Sequence, residues 1–76
     1  MTLQNHALAH AVREYMRRDS RLASQCIDVE VSERDVILIG CTETEELKRT
    51  AEEIARGVPG VRHVENRVLV RGKAAA

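Results

Sequence analysis

The chain has 76 residues, enough for one domain with a small core that a partner can supplement. It contains no Trp or Phe, and Tyr15 is the only aromatic, which counts against a surface that stacks nucleic-acid bases. Twelve basic and twelve acidic residues cancel, so bulk electrostatic attraction to nucleic acid is not expected.

Charge is nevertheless segregated along the chain. Arg13, Arg17, Arg18 and Arg21 outnumber the acids near the start, acids dominate the stretch 28–53, and Arg56, Arg62, Arg67, Arg71 and Lys73 face only Glu65 afterwards. The opening MTLQNHALAHAVREYMRR lacks the unbroken apolar run and small-residue cleavage pattern of a secretory signal, and no segment approaches bilayer-spanning length. A soluble, cytoplasmic chain is expected, at most peripheral to a membrane.

Helical spacing predicts a first helix from about Gln4 to Arg18, with Leu8, Ala11, Val12, Tyr15 and Met16 on the buried stripe. His6, His10, Arg13 and Arg17 gather on the opposite side, where nothing is expected to neutralise them. The plain reading is a solvated face. The functional reading is salt-sensitive docking on anionic phospholipid or an acidic partner, each arginine adding about 1 kcal/mol near a charged membrane. The histidines would help only when protonated. His6, His10 and Glu14 recur at i, i+4 and i+8, and a rise of about 12 Å between the outer two is too long for one zinc. No metal and no cofactor are expected.

CIDVEVS alternates as a strand with one wet face, SERD turns, and VILIGC forms a second strand. Setting Val31 opposite Val36, Val29 opposite Leu38 and Ile27 opposite Gly40 collects the apolar groups on one face; a slip of one residue would scatter them. Gly40 then leaves room for a helix to approach the sheet. The same register sets Cys26 opposite Cys41 on the outer face, read as half-buried, reduced thiols. Ile37 and Ile39 point outward.

Thr44 is placed to cap a second helix, with Glu45 and Glu46 in its first turn. Leu47, Ala51, Ile54, Ala55 and Val58 make its buried stripe, while Glu45, Arg49, Glu52 and Arg56 form acid-to-base pairs outside. Gly57-Val58-Pro59-Gly60 follows. A Gly-x-x-Gly loop clamps nucleotides in KH domains, where it joins two helices. Here it leads from a helix to a strand, so Gly57 is expected as a left-handed cap, Pro59 as a stop and Gly60 as a turn. A KH-like module binding single-stranded RNA through Gly57 and Gly60 is the alternative function; nucleic acid is otherwise disfavoured. A third strand carries Val64, Val68 and Val70 inward.

The order α-β-β-α-β implies an α+β fold, a two-layer sandwich with a three-stranded mixed sheet and two helices on one face. One domain over 1–72 and a disordered tail at 73–76 are expected. Val36-Ile37-Leu38-Ile39-Gly40, then TAEEIARGV, then Gly60-Val61-Arg62-His63-Val64-Glu65-Asn66-Arg67-Val68-Leu69-Val70 follow the order and spacing of the BON domain family, which the chain resembles from about Ala11 to Val70. The family often has Gly in the hairpin turn where Arg34 stands, so a different turn type is expected. Its members are also often exported and joined to other modules. The resemblance implies a noncatalytic module that binds phospholipid surfaces or other macromolecules. Ile37, Ile39 and Leu69, flanked by Asp28 and Glu30 on one side and Arg67 and Arg71 on the other, are the expected contact surface for a protein partner or a homodimer.

Overall fold

A computed structural model describes residues 3–71, with side chains from Asn5 onward, so the tail expected at 73–76 lies outside them. The elements run α1 Leu3–Arg18, β1 Cys26–Ser32, β2 Asp35–Thr42, α2 Glu45–Arg56, β3 His63–Asn66 and β4 Leu69–Val70. Arg17 and Arg18 close α1, where the dipole favours cations. Asp19 then turns the chain: its carboxylate accepts from the Arg21 N–H at 2.9 Å and from the Arg21 guanidinium at 3.0 and 2.6 Å. That local turn tucks Leu22 into the core.

β1 and β2 pair antiparallel in the expected register, with Val29 opposite Leu38, Val31 opposite Val36 and Cys26 opposite Cys41. Glu33 and Arg34 between them have φ of 50° and 76°, so the turn keeps the doubly left-handed form without glycine. The expectation of another turn type is corrected. The tight register requires a two-residue connection, and the Arg34 carbonyl is also held by the Arg62 N–H at 2.9 Å.

Thr44 caps α2 as its local chemistry predicts, its hydroxyl accepting from the Leu47 N–H at 3.1 Å. Gly57 is not left-handed. It lies at φ −79°, donating to the Glu53 and Ile54 carbonyls, and the reversal falls at Gly60, φ +98°. Beyond it the chain runs parallel to β2, first as β3 and then as β4, in one continuous register that sets Val36 beside Val64 and Thr42 beside Val70. The expected third strand is thus one line in two pieces, with β1 and this line at opposite edges of the sheet.

Val12, Val29, Val36, Leu38, Ala51, Ala55 and Val68 form the dry centre between helices and sheet. Ala9 and Thr50 are buried as well; Tyr15, expected in the stripe, is 41% exposed. Val64 and Val70 are only half-buried beside the better-covered Val68. Gly40 lies opposite Ile27 in the register, and its nearest neighbours belong to β1. A Cβ there would sit 1.9 Å from the Cys26 carbonyl oxygen, and φ is +130°. The close approach is strand to strand.

Candidate interaction surface

The register orders the uncovered sheet face into rows. Cys26, Cys41 and Leu69 form the first; Asp28 lies beside Ile39 in the next, then Glu30 beside Ile37 and Glu65. Ile39 is 36% exposed and Leu69 72% exposed, with Ile37 half-buried between acids. An apolar line therefore follows β2 on the side that neither helix covers, as the alternation predicts.

The expected charged flanks are partly spent within the chain. Arg67 donates to the Glu65 carboxylate on the same face of its strand line. Arg71 reaches back over the cysteines: its Nε donates to Cys41 Sγ at 3.3 Å and its Nη2 lies 3.9 Å from Cys26 Sγ. The hydrogen bond to Cys41, followed by the charge on the two sulfurs when ionised, raises the Arg71 guanidinium above its ordinary value. Cys26 is exposed rather than half-buried. Asp28 turns to the sheet edge, leaving Glu30 as the acid that stands out beside Ile37.

The outer face of α1 is also more neutral than its sequence implies. His6 and His10 are exposed. Arg13 Nη2 donates to the Val29 carbonyl at 2.9 Å and lies 3.6 Å from Asp28. Arg17 pairs with Glu14 at 2.8 Å, and that hydrogen bond holds the Glu14 carboxyl below its ordinary range. The expectation that nothing neutralises this face is corrected by two acids, one on the helix itself and one brought over by the sheet. Arg13, Met16, Leu22, Ile27 and Val29 line a shallow cavity of about 230 Å³ between α1 and the sheet edge.

Gly57 and Gly60 join α2 to β3, not two helices. Arg34 and Arg62 lie beside Gly60 in space, but Arg62 pairs with Asp35 at 3.3 Å and Glu33 shares the groove. Among the described residues, no group of three or more His, Cys, Asp or Glu could hold a metal ion, and no helix is long and apolar enough to cross a membrane.

Asn66 carries a role that sequence reasoning missed. It points inward from β3, donating to the Lys48 carbonyl at 2.9 Å and to Glu52 at 3.3 Å, while its oxygen accepts from the Val68 N–H at 3.1 Å. One amide thus bolts the broken strand line to α2. Its alternation with Val64 and Val68 was the available signal, since a polar group on a core face must find partners.

Two helices on one side of a mixed sheet, with a line of apolar and charged side chains on the other, define a small α+β two-layer domain. Residues 4–72 match the BON domain, and the chain belongs to that family of noncatalytic domains, often linked to phospholipid or protein interaction. The match is to the BON domain and not to a KH domain. Comparison with curated proteins gives no match. Among solved structures the chain is similar to the C-terminal domain of CdsD, the structural protein of the type III secretion system of Chlamydia trachomatis. The TM-score is 0.70 at 19% identity, over 87% of this chain and 33% of that one. The likeness is one of fold, and the chain spans about a third of that protein chain.

Proposed function

We propose that this domain is a noncatalytic module that associates with a second copy of itself through the uncovered sheet face. The carrying observation is the line Ile37, Ile39 and Leu69 on the side opposite both helices. Burying such side chains gives about 25 cal/mol per Å² of apolar area. Glu30 and Arg67 border the line from opposite edges, but Arg67 already bonds Glu65, so the apolar centre rather than charge pairing carries the proposed two-fold contact. A structural part in an assembly, as named for the protein of similar fold, agrees with such a module. The helix face of His6, His10, Arg13 and Arg17 supports lipid less well, because both arginines already have a carboxylate at hand.

Light scattering on the wild type beside Ile39→Asp tests the proposal. The expected result is a mass that rises with concentration in the wild type and stays monomeric in the variant. A monomer in both at high concentration would remove self-association. Vesicle pelleting, with and without anionic lipid and at two salt concentrations, then decides the membrane reading; equal pelleting on neutral vesicles would remove the role of Arg13 and Arg17.

A further inference from the structure

Cys26 and Cys41 are directly opposed on neighbouring antiparallel strands and share the uncovered face. Directly opposed residues of such a pair have Cα atoms about 4.5–5.5 Å apart. A disulfide needs about 4.4–6.8 Å, so backbone spacing permits a bond without separating the strands. The two thiols differ in access, Cys26 being exposed and Cys41 half-buried. Arg71 lies across both, donating to the Cys41 sulfur at 3.3 Å with a second nitrogen 3.9 Å from the Cys26 sulfur. Its guanidinium puts positive charge where a reacting sulfur is negative. A buried structural cysteine has neither feature.

From this arrangement we infer that Cys26 and Cys41 form a redox-active dithiol that reacts with low-molecular-weight disulfides and closes into a cross-strand bond. In the first step the Cys26 thiolate attacks one sulfur of the small disulfide. A mixed disulfide forms at Cys26, and one small thiolate departs. The Cys41 thiolate then attacks the Cys26 sulfur, forming the protein disulfide and expelling the second small thiolate. Protons from the two cysteines end on the two released thiols, so the protein loses two hydrogens and the small disulfide gains them. Accessibility assigns the capturing role to Cys26 and the resolving role to Cys41. Arg71 acts through both sulfurs, as a positioning residue that bonds Cys41 and places charge beside Cys26. The inference is independent of self-association, although the pair lies in line with Ile37 and Ile39 on the same face.

Glutathione disulfide is the probe, applied to the folded, reduced chain and followed by intact mass after an acid quench. The wild type is expected to lose the mass of two hydrogens and retain no glutathione, and a thiol reductant should restore it. Cys41→Ser should stop with one glutathione held at Cys26. Arg71→Gln should slow both closure and glutathione capture by Cys26 in the Cys41→Ser background, each about threefold, the scale of a solvent-screened charge contact, and Arg71→Lys should restore both rates. A wild-type chain that keeps glutathione as its final product, or that forms its disulfide only between two chains, would overturn the inference. An unchanged closure rate in Arg71→Gln would remove Arg71 from the device.

Discussion

Arg13 on α1 donates to the carbonyl oxygen of Val29 at 2.9 Å, tying the first helix to the free edge of the sheet. The Val29 N–H is occupied too, donating to Asp28 at 2.8 Å, and Asp28 lies 3.6 Å from Arg13. Both outward backbone groups of one edge residue are therefore filled by side chains. Unpaired edge groups recruit foreign strands, so the pair protects the edge opposite β3. Arg13→Ala is expected to lower stability by about 1 kcal/mol, the net worth of such a hydrogen bond. Asp28→Ala should speed amide exchange at Val29. Urea unfolding and hydrogen exchange check the two, and unchanged exchange at Val29 would refute the protective role.

Gly40 and Gly57 should answer oppositely to alanine. At Gly40 the added carbon meets the Cys26 carbonyl at 1.9 Å, so either the hairpin opens or the chain fails to fold. The expected cost exceeds about 3 kcal/mol. At Gly57 the nearest atom is 3.5 Å away and φ is −79°, an ordinary helical value. Gly57→Ala should be neutral or stabilising by about 0.5 kcal/mol, since it restricts the unfolded chain. Thermal melts of both variants read the contrast.

The contrast between those glycines marks what the sequence can carry. The pairing of Val29 with Leu38 was legible because a slip of one residue would turn the valines of β1 to water. Thr44 was legible because capping is local chemistry. The close approach at Gly40 was not, since it depends on where the carbonyl of another strand falls. Arg13 was misassigned to open solvent for the same reason: its partner lies on a strand sixteen residues away. Glu65 with Arg67, two apart on one strand face, and Glu14 with Arg17, one helical turn apart, could both have been found from periodicity.

The hairpin turn stores strain that substitution can release. Glu33 and Arg34 hold φ of 50° and 76°, which side-chain-bearing residues adopt reluctantly. Asn at 33 and Gly at 34 suit that turn, and the backbone bonds from Glu33 to Asn5 and from Arg62 to Arg34 survive the exchange. The double variant Glu33→Asn, Arg34→Gly is expected to gain about 1 kcal/mol in urea unfolding. A loss of stability would mean that the two side chains do more than occupy the turn.

Acid should weaken the α1 end of the molecule. Hydrogen bonds from the Arg21 side chain and then its backbone hold Asp19 below its ordinary 3.8, and the Arg17 hydrogen bond holds Glu14 below its ordinary 4.5. A carboxyl depressed in the folded state contributes stability above its unfolded pKa and loses it as pH falls through the folded one. Tm is therefore expected to stay flat from neutrality to about pH 5 and to drop below about pH 4. Asp19→Asn should flatten that drop; an unchanged acid limb would place the sensitive carboxyls elsewhere.

Asn66 supplies the sharpest test of what joins sheet to helix. Its amide donates to the Lys48 carbonyl and to Glu52, so a carboxylate in the same position would keep the Val68 N–H but face acceptors on its other side. Asn66→Ala removes the three contacts and should cost about 2 kcal/mol, loosening β4 because the Val68 N–H loses its partner. Asn66→Asp adds repulsion, and burial beside Glu52 would raise the new carboxyl above its unfolded value. The stability it has when protonated is then present at low pH and lost as pH rises through the raised value. Urea unfolding of Asn66→Asp should therefore approach the wild type near pH 4 and fall furthest behind at pH 7, whereas Asn66→Ala should trail it by a constant margin. Equal margins for the two variants at both pH values would show that the amide protons, and the helix carbonyl they reach, do not hold the strand line in place.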